Sequence, residues 1–245
     1  MRLVAWNCNM ALERKFAALM RLQPDIAVIS ECAEPSRLFE RMRPEGLAGD
    51  PVWIGRNPRK GLAIFGFNGH EVRLAEGFAH GLRYIAPVRV SGKASCNLLA
   101  AWAQNASAGV TRKMQLGPLR RALARYRPFL EGADAIVAGD LNNNVIWHRP
   151  GWRINHGVAV ATLARYGLVS AYHAMRGEAQ GNEREPTLFW RDRIKDGPTY
   201  HIDYVFLPER WLPHLRELVI GSYEEWCGSG LSDHAPVIAD IAFPL

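Results

Sequence analysis

The sequence has no apolar run of about 18 residues, the length that a membrane-spanning helix requires. Its first apolar stretch, residues 3–6, ends at once in Asn7 and is too short for the core of a secretory signal peptide. No internal repeat, low-complexity tract or linker interrupts the 245 residues. We therefore expect one domain, residues 1–245, that is large enough to bury a full core and stays in the cytoplasm.

Cysteine is also scarce, and the four cysteines form no CxxC pair, which argues against a zinc site. All four lie among apolar neighbours, at Cys8, Cys32, Cys96 and Cys227. This placement favours buried free thiols over disulfides and agrees with a reducing compartment.

Acidic residues are in the minority, with 24 Asp and Glu against 30 Lys and Arg. The resulting formal charge of +6 and the isoelectric point near 9.3 favour an anionic partner. Charge alone does not separate nucleic acid from phospholipid headgroups or small phosphates.

Strand and helix patterns alternate along the whole chain. Apolar residues at helical spacing predict helices at 12–20 and 157–167, and a longer helix with the stripe Leu116, Leu119, Leu123, Tyr126 and Leu130. Apolar or alternating runs predict strands near residues 3–6, 26–30, 52–55, 61–66, 71–74, 83–90, 97–102, 134–139, 187–190, 202–207, 215–220 and 236–243. This mixture predicts an α/β protein with two packed sheets and helices outside them.

Basic residues surround the stripe on the long predicted helix, at Arg112, Lys113, Arg120, Arg121, Arg125 and Arg127. They fit either a helix that binds nucleic acid or a solvated outer face over an apolar seam. The second interpretation is favoured because amphipathic surface helices commonly show this pattern.

Polar side chains stand where several of the predicted strands end. Asn7 closes the first strand, Glu31 follows the second, and a GDLN motif at 139–142 follows the strand at 134–139. An SDH motif at 232–234 precedes the last strand, and Asp203 lies inside an apolar strand. Each feature alone is typical of a turn or cap, but strand ends also bring side chains to a common cleft. A buried Asp203 would need a partner, and a histidine ring is a natural one.

In this combination and order, the motifs resemble those of the endonuclease/exonuclease/phosphatase superfamily. That superfamily has the fold shared by DNase I, exonuclease III and the inositol-polyphosphate 5-phosphatases, and the resemblance extends from Asn7 to His234. It implies a four-layer α/β sandwich, with two packed, mainly antiparallel sheets flanked by helices. It also implies hydrolysis of phosphate esters with Mg²⁺, for which Mn²⁺ can substitute.

The resemblance implies a role for each motif residue. Asn7, Glu31 and Asp233 correspond to ligands of the divalent cation, and their oxygen atoms suit a hard ion such as Mg²⁺. This ion takes few carboxylates, keeps several waters and completes its shell with substrate phosphate.

The remaining motif residues correspond to the catalytic groups. Asp140 corresponds to the residue that orients or deprotonates the attacking water, although some schemes give it a second metal. Asn142 corresponds to an amide that orients the phosphate. His234 corresponds to the donor to a non-bridging phosphate oxygen, and Asp203 to the acid that fixes the histidine ring.

One position departs from the family pattern. Many members carry His or Tyr at the end of the middle strand, where this chain has Trp102. A tryptophan offers only an N–H donor. Trp102 is therefore either a substrate contact or an amphipathic residue at a strand end.

Three loops are candidates for determining substrate specificity. Arg59, in the basic turn at 56–61, can meet a phosphate backbone. His148 follows the GDLN motif and can overhang the cleft, while Trp190, next to Arg191, can stack on a base. Each also fits a solvated turn or a core edge. The remaining histidines, such as His70, His80 and His214, are predicted to lie at the surface.

Three functions remain open. The first is a Mg²⁺-dependent nuclease on DNA or RNA, with DNA favoured and abasic or damaged sites included, in which water attacks phosphorus without a covalent intermediate. The second is a phosphatase or phosphodiesterase for lipid headgroups, inositol phosphates or small nucleotides. The third, a non-catalytic binding module, is disfavoured because the expected acids and His234 are all present. The sequence gives no sign of an obligatory protein partner.

Overall fold

The structure, a computed structural model, describes residues 1–39, 45–82, 84–104, 114–190 and 194–243. Its strands, in chain order, are β1 (Arg2–Asn7), β2 (Ile26–Cys32), β3 (Val52–Asn57), β4 (Lys60–Gly66), β5 (His70–Leu74), β6 (Ile85–Gly92), β7 (Cys96–Trp102), β8 (Ala135–Asp140), β9 (Leu168–Ser170), β10 (Leu188–Phe189), β11 (Thr199–Tyr200), β12 (Asp203–Pro208), β13 (Leu215–Ile220) and β14 (Val237–Ile241). They form two six-stranded sheets, ordered β13-β14-β1-β2-β4-β3 and β5-β6-β7-β8-β12-β9, and a separate pair, β10 and β11.

Most neighbouring strands pair antiparallel, as predicted. Each large sheet contains one parallel pair, β1 with β2 and β7 with β8. Parallel strands need a long crossover connection, and helices lie in both of these connections.

The α-helices are α1 (Phe16–Arg21), α2 (Pro35–Phe39), α3 (Pro118–Arg125), α4 (Arg127–Leu130), α5 (His156–Arg165), α6 (Ala171–Arg176) and α7 (Tyr223–Trp226). Short 3-10 helices span Leu12–Arg14, His80–Leu82, Val145–Trp147 and Glu209–His214.

Side chains alternate between the two faces of each strand, and this alternation builds the layers of the core. The facing sides of the two sheets share one cluster, which includes Leu3 of β1 and Ile136 of β8. The opposite side of the β8 sheet packs on α3 and α5. The opposite side of the β1 sheet packs on α1 through residues such as Phe16. The order helix, sheet, sheet, helix confirms the predicted four-layer α/β sandwich.

The long helix predicted across the apolar stripe is wrong as a single element. It is divided at Tyr126, whose backbone (φ −102°, ψ 20°) leaves the helical region, and α4 then starts with Pro128 in its first turn. Proline lacks the N–H that an uninterrupted helix needs and its ring would clash with the preceding turn. The stripe itself is core, since Leu119, Leu123 and Leu130 are buried. The arginines of α3 and α4 lie at the surface, whereas Arg112 and Lys113 are outside the described residues.

Two predictions about individual residue types have different outcomes. All four cysteines are buried free thiols, and burial raises the pKa of the Cys8 thiol to about 12. His70, in contrast, was predicted at the surface but is buried, with Nδ1 3.2 Å from the carbonyl oxygen of Phe67. None of the helices in the described ranges is long and apolar enough to cross a membrane.

Candidate active site

Strand alternation brings the polar strand ends of the two sheets face to face. Along β1, Leu3 and Ala5 point toward the other sheet, and Asn7 continues that series at the strand end. Ile136 and Ala138 do the same along β8, and Asp140 follows them. The Asn7 amide therefore meets the Asp140 carboxylate across the sheet interface, with Nδ2 3.0 Å from Oδ2.

The register of the second sheet places two further residues beside Asp140. Trp102 of β7 is its parallel partner, and Asp203 of β12 is its antiparallel partner. Trp102, Asp140 and Asp203 thus form one row across three neighbouring strands. Two carboxylates in such a row repel each other unless a cation or a proton lies nearby.

Asp140 is almost completely buried and held by three donors. Besides Asn7, the Asn142 backbone N–H and side-chain amide donate to its two oxygens, both at 2.8 Å. Burial, followed by the negative charge of Asp203, raises the pKa of Asp140 to about 7, although nearby His234 acts in the opposite direction. A carboxylate with a pKa near neutrality is suited to accept a proton from water.

The predicted pairing of Asp203 with His234 is present. The His234 Nδ1 lies 2.8 Å from Asp203 Oδ2, and both residues are buried. Burial alone would lower the pKa of His234, but the charge and hydrogen bond of Asp203 raise it to about 10. The ring is therefore a cation near neutral pH, with Nδ1 committed to Asp203.

Hydrogen bonds from several segments fix this pair. The Ser232 hydroxyl donates to the Asn7 carbonyl at 2.7 Å and accepts the His234 backbone N–H at 3.1 Å. Thr187, fully buried, accepts the Asp203 backbone N–H through Oγ1 at 3.0 Å. The SDH motif is thereby attached to β1 of one sheet and faces β12 of the other.

Glu31 lies next to this group on β2, at an irregularity in the pairing of β2 with β4. Its backbone has φ 59°, a left-handed conformation that a non-glycine residue adopts only under constraint. Its carboxylate forms an ion pair with Lys60, Nζ to Oε2 2.9 Å, and the same ammonium lies 5.4 Å from the ring centre of Trp102.

Two features of the site fit a hard divalent cation. The carboxylate of Glu31 already faces a positive charge, because the Lys60 ammonium is bound to it. In addition, Asp203 Oδ1 is buried and has no hydrogen-bond partner among the described residues, although buried carboxylate oxygens are normally paired. Carboxylate oxygens of Asp140 and Asp203 and a ring nitrogen of His234 lie within 4.8 Å of one another, but the protonated His234 ring has no lone pair to offer a metal ion. The carboxylates, like the side chains of Asn7, Glu31 and Asp233, supply oxygen ligands, as Mg²⁺ prefers.

The residues predicted to contact substrate differ in exposure. The Trp102 ring is buried beneath Lys60 and packs on Tyr84, whereas Arg59 lies exposed in the β3–β4 turn. His148 is exposed and its Nδ1 is 2.6 Å from the Asn155 amide.

Trp190 is the most exposed aromatic residue near the candidate active site, with 46% of its surface accessible to solvent. It follows Phe189, whose N–H donates to the carbonyl of Asp233, and its ring is 6.1 Å from that of Tyr200. Tyr200 in turn lies 4.8 Å from Trp147, so that three aromatic rings adjoin one another beside the SDH motif. Arg191 is outside the described residues.

Two residues of the candidate active site were not predicted from the sequence. Lys60 is one of several basic residues in the 56–61 turn, and nothing in the sequence distinguishes it as the partner of Glu31. Thr187 follows Pro186 at the start of a predicted strand and has no local signal of its role under Asp203. Both contacts join segments that are far apart in the chain.

Several solved structures are similar to this chain over almost its full length. An AP endonuclease from Leishmania major matches 99% of this chain and 88% of its own, with a TM-score of 0.72 and 15% identity. The 3′-5′ exonuclease NExo from Neisseria meningitidis matches 99% of this chain and 100% of its own, with a TM-score of 0.67 and 16% identity. An AP endonuclease from Archaeoglobus fulgidus matches 99% of this chain and 100% of its own, with a TM-score of 0.66 and 17% identity.

These similarities establish that the chain has the DNase I-like fold that its motifs predicted. No family model matches the sequence, and no curated protein matches it. Sequence identities of 15–17% show a shared fold, and the chemistry of this chain depends on its own side chains.

Proposed function

We propose that this chain is a Mg²⁺-dependent phosphodiester hydrolase and, more narrowly, a nuclease that cleaves DNA, including abasic or damaged sites. The observation that carries the proposal is the buried Asp203–His234 pair beside Asp140, which Asn7 of the other sheet contacts. Glu31 follows Ser30, the parallel partner of Asn7. Together these residues combine a base, a fixed imidazolium and a cation-binding carboxylate. The fold and net charge of +6 support a polyanionic substrate.

In the proposed reaction, Asp140 orients a water molecule and accepts its proton as the oxygen attacks phosphorus. The Asn142 amide orients the phosphate. The imidazolium of His234 donates from Nε2 to a non-bridging oxygen, and Asp203 holds the ring in place. Such fixed donors stabilise the negative charge that develops in the transition state, and no covalent intermediate is required.

Asn7, Glu31 and Asp233 would hold Mg²⁺, or Mn²⁺ in its place. When bound, the ion would neutralise phosphate charge and stabilise the leaving oxygen, a contribution of several kcal/mol. Lys60 would have to release Glu31 for this, which a partly exposed lysine can do at little cost.

Substrate contacts are proposed at Arg59, His148 and Trp190, and an indirect contribution to substrate binding at Trp102. The exposed ring of Trp190, beside Tyr200 and Trp147, supports stacking on a base. The burial of Trp102 supports an indirect contribution through Lys60. We further propose that residues 1–245 act as a single domain in the cytoplasm, without an obligatory protein partner.

The test is cleavage of supercoiled plasmid and of an oligonucleotide with one abasic site. We expect cleavage with Mg²⁺ or Mn²⁺ and none with EDTA. Glu31→Ala and His234→Ala should each lower kcat by at least about 10³-fold, because each removes a group that stabilises the transition state. Glu71→Ala, at an exposed position of β5, is the matched control and should retain full activity.

Circular dichroism checks that the variants remain folded. Near-full activity in either active-site variant would remove that residue from the mechanism. Turnover of p-nitrophenyl phosphate or an inositol phosphate, with no cleavage of nucleic acid, would instead favour a phosphatase. One similar structure is described as a 3′ phosphatase bound to a product DNA hairpin, which makes this outcome a meaningful alternative.

A further inference from the structure

A cavity of about 350 Å³ lies beside the candidate active site and contains none of the residues assigned to catalysis. Its walls include Arg14, Arg37, Arg59, Glu13, Met10 and Leu38. The volume is within the range of about 300–1,000 Å³ that is usual for small-ligand pockets.

The cavity adjoins the active site through three chain segments. Met10 is three residues beyond Asn7, and Ala33, also in the wall, is two beyond Glu31. Arg59 immediately precedes Lys60, the partner of Glu31. Because three residues of extended chain span at most about 11 Å, a single strand of nucleic acid can reach both the metal-binding edge and the cavity.

The charge of the cavity suits a doubly charged anion. Arg14 comes from a 3-10 helix, Arg37 from α2 and Arg59 from the β3–β4 turn. Among the described residues, none of the three guanidinium groups forms an ion pair, and Glu13 is the only carboxylate in the wall. Three cations and one anion leave a formal charge of +2. A phosphomonoester carries a charge of about −1.5 to −2 at pH 7, whereas a diester carries −1.

The remaining walls offer apolar contact for the nucleoside that would carry such a phosphate. Met10 is 44% exposed and Leu38 is buried. Residues 9–11 adopt three successive left-handed conformations, with φ values of 47°, 63° and 51°. Lys15 holds this segment through a hydrogen bond from Nζ to the Asn9 carbonyl at 3.2 Å, so the rim with Met10 is fixed.

We propose that this cavity binds the terminal nucleotide of a DNA strand through its phosphomonoester. The guanidinium groups of Arg14, Arg37 and Arg59 hold the phosphate by paired N–H donors, a geometry that arginine favours. The nucleoside lies against Met10. This inference rests on the proposed nuclease function: the chain recognises a strand end or a nick and cleaves at a nearby phosphate.

Binding is tested first without metal, which separates the cavity from catalysis. Short oligonucleotides of one sequence carry a 5′-phosphate, a 3′-phosphate or no terminal phosphate, and their affinities are measured by calorimetry in EDTA. We expect one phosphorylated end to bind at least about tenfold more tightly than the unphosphorylated strand. The double variant Arg14→Ala, Arg37→Ala should abolish this preference. Arg73→Ala, an exposed arginine on β5, should retain it.

Cleavage then supplies the second measurement. With Mg²⁺, the ratio of kcat/KM for the preferred phosphorylated strand to that for the unphosphorylated strand should exceed about ten, and should fall to about one in the double variant. Equal affinity for all three oligonucleotides would overturn the inference, even if they are cleaved. Tight binding of the phosphorylated strand without any cleavage would support the cavity and count against the nuclease function.

Discussion

At the scale of single residues, Glu31 combines an unusual backbone with an unusual partner. Its left-handed φ of 59° turns the carboxylate away from the regular strand pattern, and Lys60 binds that carboxylate at 2.9 Å. Both side chains are partly exposed, at 17% and 35%. A divalent cation bound at Glu31 would compete with this ammonium for the same negative charge.

The first prediction concerns this competition. Lys60→Met should raise the affinity for Mn²⁺ by about fivefold. A partly exposed ion pair contributes about 1 kcal/mol, and in the variant Mn²⁺ no longer has to break the pair between Lys60 and Glu31. The measurement is the dissociation constant for Mn²⁺ by electron paramagnetic resonance. Lys93→Met, in the exposed turn between β6 and β7, is the control. A weaker or unchanged affinity in Lys60→Met would mean that Lys60 does not compete with the ion.

At the scale of elements, the site depends on how β8 lies against β7. Gly139 precedes Asp140 and has φ 130°. A Cβ atom at this position would lie 2.0 Å from the carbonyl oxygen of Ala101 in β7. Backbone atoms of a central strand cannot move aside as a flexible side chain can, so glycine is required where the two strands approach.

The second prediction follows from this contact. Gly139→Ala should lower the free energy of unfolding by roughly 3 kcal/mol through overpacking and backbone strain, and should reduce activity by displacing Asp140. Gly132→Ala is the matched control, because its φ of 67° is also positive but its Cβ would meet no atom within 4 Å. The control should lose only about 1 kcal/mol. Urea denaturation measures the free energy of unfolding of both variants. An equal decrease in the two would mean that the contact with Ala101 does not cause the destabilisation of Gly139→Ala.

At the scale of the whole molecule, a buried group of histidines lies behind the active site. His156 and His201 each lie 4.9 Å, ring centre to ring centre, from Tyr204, the neighbour of Asp203. His173 forms a hydrogen bond at 3.0 Å to the carboxylate of Glu183. Burial lowers the pKa of His156 to about 4 and also lowers that of His201. The folded protein therefore keeps these two rings neutral where the unfolded chain would protonate them.

The third prediction is a loss of stability in acid. Between pH 6.5 and 4 the unfolded chain binds a proton that folded His156 does not, so stability falls as pH decreases. The contribution of His156 is about 2 kcal/mol between pH 7.5 and 5. His156→Phe should remove that share of the pH dependence in urea denaturation. Comparison with the parent protein separates the contribution of His156 from those of His234 and Asp140. The raised pKa values of these two residues increase stability as pH decreases, which is the opposite effect.

His80→Gln, an exposed histidine, serves as the control and should leave the pH dependence unchanged. If His156→Phe and the parent protein lose equal stability between pH 7.5 and 5, His156 is already charged in the folded state. The acid sensitivity of the fold would then have another origin.

The amino-acid sequence predicts the fold class and most of the strands. Strands β1 and β8 are buried on both faces, so the sequence alone does not tell which face of each strand meets the other sheet. The structure places Asn7 and Asp140 on the facing sides. The cost of burying a lone carboxylate predicted a partner such as histidine for Asp203, and the family resemblance implied that this partner is His234. The division of the long helix was missed, although Pro128 is a local signal for it. The short elements β9, β11, α2, α6 and α7 and the burial of His70 were also not predicted.

Other contacts between distant residues could not be predicted from the sequence. The contact of Lys60 with Glu31, the support of Asp203 by Thr187 and the convergence of three arginines on one cavity join segments that no local pattern relates. Local patterns reflect hydrogen bonding and burial over a few residues. Contacts between remote segments depend instead on sheet register, the packing of one sheet on the other and the path of each loop.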